Sequence, residues 1–306
     1  MIKAGVVSNS DLCLPLLYYL RQCNIDTVFY LGLHDVAADL HSVITFCNSN
    51  SIAVEHEKET GQLYGWLNLN NPDFCFVFCY KKLIDVGRVG GFRHRIFNIH
   101  PGKLPQYRGP NPVFWQLKNG EATLGITIHF INGLYDAGDI VWSKVINNEP
   151  HFSHGLVDYI FSNILVEGVQ FVLNTGVDRL LDGKALQDEG TATNYKKPVL
   201  KDVLVNWQTM HAAQIVNLVR ACNPWNKGAI TVCNNMEVKI VDAEALAQIS
   251  GAPAGTIVEI KDGLQVACSG NNIVRIHSLS INGIFVPARF AAQFGFAAGQ
   301  QFYSSL

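Results

Sequence analysis

Charge is scarce in this chain. Only 16% of its 306 residues are Asp, Glu, Lys or Arg, and 23 basic side chains nearly balance 25 acidic ones, leaving a net charge of -2. That balance supplies no basic field for gripping a phosphate backbone by counterion release, so composition gives no argument for nucleic acid. Cys-x-x-Cys pairs are missing too. The eight cysteines (Cys13, Cys23, Cys47, Cys75, Cys79, Cys222, Cys233 and Cys268) are scattered, two of them inside the apolar run 74–80. Thiols placed this way read as reduced, buried cysteines rather than a disulfide framework or a zinc site. No Gly-x-Gly-x-x-Gly follows the first apolar run; Ser8-Asn9-Ser10-Asp11 stands there, which argues against a dinucleotide pyrophosphate cradle. The opening MIKAGVVSNS enters a strand directly, without a charged leader or cleavage site, and no apolar run approaches a membrane span. A soluble, cytoplasmic protein without a membrane partner is expected.

What is present is enough apolar material, 48% of the residues, for one sizeable core and a smaller one. From residue 1 to about 150, short β-rich runs alternate with helical stretches: 2–7 then 12–23, 27–31 then 34–48, 52–54 then 58–68, and 74–80. Alternation of this kind predicts βαβ units around a parallel sheet. The run 74–80 is apolar on both faces, as a central strand covered on both sides requires. Residues 125–130 and 140–145 add two strands, and 154–175 carries apolar residues at helical spacing. A stretch rich in Gly, Asp, Lys and Thr, with Pro198, then reads as a connector. Beyond it come a helix near 209–221 and short strands separated by turn signals such as Asn234-Asn235 and Lys261-Asp262-Gly263, a spacing that suggests a small barrel. The expected division is 1–180 for an α/β catalytic domain, 181–205 for a linker and 206–306 for an all-β domain.

The most informative stretch runs from Phe97 to Ile140. Asn98 and His100 lie two apart in a β-rich run stopped by Pro101-Gly102, so they project to the same face while Ile99 points away. Carboxyl ends of strands in an open α/β sheet face the ligand crevice, which is where a side-by-side amide and imidazole are useful. Downstream come Leu104-Pro105-Gln106-Tyr107-Arg108-Gly109, then Gly125-Ile126-Thr127, then Tyr135-Asp136-Ala137-Gly138. Taken singly, these have ordinary explanations: Asn98 as a turn former, His100 as a loop histidine, Asp136 and Asp139 as Asx-turns.

Together, these motifs resemble the active-site pattern of the N10-formyltetrahydrofolate-dependent formyltransferases, the family of methionyl-tRNA formyltransferases and sugar-nucleotide N-formyltransferases. That pattern is Asn-x-His-Pro, Leu-Pro-x-x-x-Gly, Gly-x-Thr and Leu-Asp-x-Gly, with Tyr135 here in place of the commoner Leu. Arg220-Ala221-Cys222-Asn223-Pro224-Trp225 is likewise similar to the signature that opens the family's C-terminal domain. The resemblance implies a Rossmann-like parallel sheet followed by an OB-like β-barrel, N10-formyltetrahydrofolate as co-substrate, and Asn98, His100 and Asp136 as catalytic residues. Formyl transfer passes through a tetrahedral oxyanion, so a donor (Asn98 or His100) and a proton route through His100 and Asp136 are the chemistry required. No Ser, Cys or Lys occupies a nucleophile position in these motifs. For the pterin, the resemblance points to Tyr80, Leu83 and Ile84 after the central strand and to Gly133 and Leu134. Leu83 and Ile84 are equally readable as core. Lys81, Lys82 and Arg108 offer charge-assisted donors for an anionic acceptor or for the folate tail.

The acceptor is less directly written. Methionyl-tRNA formyltransferases generally carry a basic insertion after the second strand; here residues 30–45 contain no Lys or Arg, and residues 226–306 hold only Lys227, Lys239, Lys261, Arg275 and Arg289. A primary amine on a small molecule, such as an amino-sugar nucleotide, is therefore expected, with methionyl-tRNA as the alternative. Formyltetrahydrofolate deformylases share the same core and form a second alternative, although they usually carry an N-terminal regulatory domain not found among these residues. A non-catalytic ligand-binding module would be expected to have lost one of the three polar residues. All three are present.

Overall fold

The computed structural model describes residues 1–32 and 40–304. Residues 33–39, which include the start of the helix expected over 34–48, lie outside the described residues, as do 305 and 306. Two compact units divide the chain: Met1–Pro112, Leu124–Ile146 and Asp158–Tyr195 form the first, and Val113–Thr123, Asn147–Val157 and Lys196–Leu306 the second.

The first unit is a seven-stranded sheet built from β1 (Lys3–Ser8), β2 (Asp26–Leu31), β3 (Ala53–His56), β4 (Phe74–Phe78), β5 (Ile96–His100), β6 (Thr123–Phe130) and β7 (Ile140–Asn147) in the order β3-β2-β1-β4-β5-β6-β7. Helices α1 (Leu14–Gln22), α2 (Leu40–Ser49) and α3 (Gln62–Asn70) link its first four strands. Strands β1 to β5 pair in parallel, but β6 runs antiparallel to β5, so the sheet is mostly rather than wholly parallel. Every residue of β4 is buried, because both of its faces are covered. On one face Phe74, Phe76, Phe97 and Phe130 stack in succession, with neighbouring ring centroids 5.1–6.4 Å apart. On the other, Cys75 and Val77 join Val7, Tyr30, Trp66 and Ile84 in a second cluster. Alternation along a strand shared by two covering layers thus produces the continuous apolar run seen in the sequence.

Helix α5 (His154–Thr175) follows a seven-residue helix, α4 (Pro112–Lys118), in chain order. By length and composition α5 could cross a membrane, with a mean hydropathy of 1.5, contrary to the expectation that no run approaches a span. Its apolar character has a packing cause. Val157, Phe161, Leu165, Val169 and Val172 are buried at helical spacing, and a side chain at Gly168 would run into Ile128 and Trp142 of β6 and β7.

After α6 (Val177–Gly183) and the single turn α7 (Leu200–Val203), the second unit contains α8 (Ala212–Cys222) and six strands: β8 (Ala229–Cys233), β9 (Met236–Ile249), β10 (Ile257–Ile260), β11 (Leu264–Cys268), β12 (Asn272–Ile281) and β13 (Ile284–Pro287). They form an antiparallel sheet in the order β10-β11-β12-β9-β8, with β13 on β12. The two edges are joined by the last described residues. Val232 of β8 exchanges two backbone hydrogen bonds with Tyr303, at 2.8 and 2.9 Å, while Gly299 and Gln300 bond Ile257 of β10 at 2.8 Å. Bridging both edges with one segment closes the sheet, the way a small antiparallel domain removes exposed strand edges. Arg220 contributes within the same unit, donating to the carbonyls of Glu149 and Phe152 at 2.7 Å.

Trp207 sits at the seam of this closure. It is 1% exposed, its Nε1 donates to Thr231 Oγ1 at 2.8 Å, and its ring lies 5.5 Å from that of Phe302. Trp207→Ala removes a large buried ring and the hydrogen bond that Thr231 Oγ1 accepts, leaving that hydroxyl only its donation to Tyr303 O, so it is expected to destabilise the protein by about 3–5 kcal/mol. Denaturant unfolding checks this, and a loss below about 1 kcal/mol, the scale of an ordinary substitution, would show that the seam does not depend on the ring.

Candidate active site

Strand pairing assembles the site. In the antiparallel register of β5 and β6, Asn98 stands opposite His129 and His100 opposite Thr127, so alternate residues of two adjacent strands share one face. Beyond β6 the chain turns back and delivers Asp136, held at φ 54°, to that face. Gly138 makes this approach possible, because a Cβ there would collide with the carbonyl of Phe130. Gly102 does the same for His100: any side chain at that position would overlap the imidazole.

Asp136 Oδ1 is the hub of the cluster. Asn98 Nδ2 donates to it at 3.0 Å, His100 Nδ1 lies 3.4 Å away and His129 Nε2 3.5 Å away, while the backbone N–H of Gly109 donates to Oδ2 at 2.9 Å. The other nitrogens of the two rings face carbonyls: His100 Nε2 is 2.8 Å from Tyr107 O, and His129 Nδ1 is 2.7 Å from Phe130 O. Carbonyl oxygens only accept, so both of those nitrogens carry hydrogens. In the neutral rings, His100 Nδ1 and His129 Nε2 therefore present lone pairs toward Asp136.

The charges follow from burial. Burial pushes His100 below the ordinary imidazole value, with Asp136 pulling the other way and His129 adding to the fall. For Asp136, burial favours the neutral acid, but the neighbouring His100 and His129 and the Gly109 N–H outweigh it and hold the carboxyl well below the usual range. At neutral pH the pair is a carboxylate beside an uncharged imidazole. A proton arriving at His100 Nδ1 would meet a carboxylate at once, which makes the pair a proton acceptor with a stabilised product state.

Asn98 is more committed than the sequence suggests. Its Nδ2 donates to Asp136 Oδ1 and also contacts His129 Nε2 at 3.0 Å, so both amide hydrogens are engaged. Serving an oxyanion requires it to release one of them. His129 itself is absent from the candidates drawn from sequence. Its signal was available, since it lies two residues after Thr127 and shares its face, but the register against β5 that makes it a partner of Asn98 is not written locally.

The expected cofactor contacts separate into groups. Tyr80 and Leu83 line a cleft of about 350 Å³ together with Lys81, Lys82 and Tyr135, the neighbour of Asp136. Ile84 is 6% exposed and packs in the core beneath. Gly133 faces Val86, and Leu134 is exposed, its N–H bonded to Asn132 Oδ1 at 3.1 Å. Arg88, not anticipated from sequence, also lines this cleft, and Glu57 outside it holds one of its lysines. Arg88 lies 4.0 Å over the ring of Tyr64, and buried Glu57 accepts from Lys82 Nζ at 2.9 Å. Arg108 does not face the cleft as a free cation: it is buried and bound bidentately to Glu189 at 2.7 and 2.9 Å. Asp139 pairs with Lys184.

Comparison with known proteins places the chain in a family. The formyl transferase family matches residues 33–155, and the formyl transferase C-terminal domain matches residues 200–286. A methionyl-tRNA formyltransferase of Geobacter metallireducens is 31% identical over 216 residues, which cover 70% of this chain and 67% of that protein. The chain belongs to the formyl transferase family. A methionyl-tRNA formyltransferase of Syntrophomonas wolfei is 29% identical over 209 residues, 67% of this chain, and the match spans 65% of that relative's length. Among solved structures, the fold of this family member resembles WlaRD, a sugar 3N-formyl transferase crystallised in the presence of dTDP and 5-N-formyl-THF, with a TM-score of 0.71 at 16% identity, over 90% of this chain and 97% of that one.

Proposed function

We propose that the protein transfers a formyl group from N10-formyltetrahydrofolate to a primary amine carried by a small acceptor, such as an amino-sugar nucleotide. The observation that carries this reading is the buried His100 held 3.4 Å from the Asp136 carboxyl group beside Asn98. In the reaction, the amine nitrogen bonds to the formyl carbon, the carbonyl oxygen takes up negative charge, and the bond from carbon to N10 then breaks. One proton leaves the amine and one reaches N10. His100 Nδ1 accepts the first with Asp136 stabilising the imidazolium, and the same proton is available for N10 on collapse, so none is consumed. Asn98, turned from His129, donates to the oxyanion, a contribution that preorganised donors make strongest in a buried site.

The cleft beside Tyr135 suits the folate. Its volume of about 350 Å³ falls within the usual range for small-molecule sites, and Tyr64, Tyr80 and Leu83 offer flat and apolar surface to a pterin. Lys81 and Arg88 at its margin supply cations for a carboxylate tail.

Methionyl-tRNA is a second acceptor reading, favoured by the sequence relatives. Against it stand the lack of Lys and Arg from residue 30 to 45 and the state of the cations in the second unit. Lys239 donates to Asn226 O at 2.9 Å, Arg275 pairs with Glu244 at 3.0 Å, and Arg289 lies 4.7 Å over the ring of Phe290. Lys239 and Arg275 thus already have internal partners, and the exposed Lys227, Lys261 and Arg289 are too few for a phosphate stripe.

The purified protein is expected to convert N10-formyltetrahydrofolate to tetrahydrofolate only when an amine acceptor is supplied, because the cluster holds a proton acceptor but no nucleophile to store the formyl group. Absorbance of the folate with and without amine checks this. Equal turnover in buffer alone would move the reading to a deformylase.

A further inference from the structure

The chain that leaves α6 does not simply depart from the first unit. Residues 187–195 lace across the two loops that build the active site. Thr193 N donates to Pro105 O, Arg108 N to Thr193 O at 3.0 Å, and Tyr195 N to Arg108 O at 2.8 Å, while the rings of Tyr107 and Tyr195 stack 5.1 Å apart. Within this strap Gln187 has an unusual set of partners. Its Nε2 donates to the carbonyls of both Asp136 and Gly138, at 2.8 and 2.7 Å, and its Oε1 accepts from Arg108 Nε at 2.9 Å. Arg108 is buried, and its two terminal nitrogens are fixed by Glu189.

We propose that Gln187 is a positioning residue for the site: by tying the Asp136 and Gly138 carbonyls to the Arg108 guanidinium, it fixes the loop that presents the Asp136 carboxylate to His100 and Asn98. The inference rests on the formyl-transfer reading and deepens it. Asp136 has a left-handed backbone, a conformation that persists in a residue with a side chain only when its surroundings impose it. Two carbonyls leaving that turn converge on one amide, and the same arginine that holds the amide is followed in the chain by Gly109, whose N–H binds Asp136 Oδ2. Clamping the 136–138 and 108–109 loops together thus sets the Gly109–carboxylate bond as well. A glutamine is required chemically. Glu would confront two carbonyls with a charge, and Met of similar length offers no donor and only a weak acceptor.

The test compares wild type with Gln187→Met in the full chain. The expected result is a fall in kcat of up to about 100-fold, the scale of a small misplacement of a reacting group, with KM for N10-formyltetrahydrofolate little changed. Loosening the Gly109 bond should also raise the Asp136 carboxyl pKa, read by carbon NMR titration of that side chain, a measurement independent of turnover. An Asp136 titration identical to wild type overturns the strap, whatever the kinetics show. A wild type that consumes no N10-formyltetrahydrofolate with any amine overturns the formyl-transfer reading instead and leaves the titration to decide the strap. Should Gln187→Met fail to fold, Glu189→Gln releases only the exposed end of the Arg108 fork. The same upward direction, smaller in size, is then expected, and no movement overturns the proposal.

Discussion

Asp136→Asn is expected to lower turnover by about two to four orders of magnitude while leaving the protein folded, the range for losing a partner in proton transfer and charge stabilisation. The substitution is isosteric and an amide oxygen can still accept the Gly109 N–H, so packing is retained. What disappears is the negative charge 3.4 Å from His100 Nδ1. Without it, the proton that leaves the amine has no compensated place to go. The pH profile should move as well, and its direction is fixed. Burial lowers the His100 pKa and Asp136 opposes that fall, so removing the carboxylate lowers it further. The acid limb of kcat, where His100 becomes protonated and can no longer accept, should shift to lower pH in the variant. In wild type that limb already lies below the ordinary imidazole value of about 6.5. His100→Ala should show a loss of similar size with the limb removed. A folded Asp136→Asn protein turning over at near wild-type rates would take this carboxylate out of the mechanism.

The same two groups link activity to stability. Both folded pKa values are depressed, so the unfolded chain binds more protons at a given acidic pH and stability falls on acidification. The contribution from His100 begins to fade as pH drops through the unfolded imidazole value of about 6.5, and that from Asp136 near the unfolded carboxylate value of about 3.9.

How much of this was legible in the sequence depends on the range of the interaction. Period-two alternation placed Asn98 and His100 on one face, and the double-sided apolar run gave β4, because both are local consequences of strand geometry. Asp136 came from motif spacing. His129 did not emerge, since its role depends on an antiparallel register with β5 rather than on its neighbours in sequence. Gln187 was harder still: its partners lie 49 to 79 residues away, and the segment's Gly, Asp and Thr content reads only as a surface connector. Leu83 and Ile84 show the limit of local reading in the other direction. Adjacent apolar residues after a strand are equivalent on paper, yet one borders the cleft and the other fills the core.

The acceptor gives the second large expected effect, because the two readings differ in electrostatics. An enzyme that neutralises six to ten phosphates of a nucleic acid loses about 10³–10⁵ in affinity between 50 and 200 mM salt. This chain carries a net charge of -2, has no Lys or Arg from residue 30 to 45, and engages Lys239, Arg275 and Arg289 internally. To bind phosphate, Lys239 and Arg275 would first have to give up those partners. A nucleoside diphosphate, by contrast, needs only a few charge-assisted donors, and exchanging them between water and ligand depends weakly on ionic strength. Formylation of an amino-sugar nucleotide is therefore expected to be efficient and to change little in KM for the acceptor across that salt range. Steady-state kinetics at several salt concentrations, with amino-sugar nucleotides and charged methionyl-tRNA as competing acceptors, decide the question. Efficient transfer to methionyl-tRNA that collapses with salt, without transfer to small amines, would reverse the choice of acceptor. It would leave the roles of Asn98, His100 and Asp136 as they are, because that cluster acts on the formyl group and the amine whatever carries them.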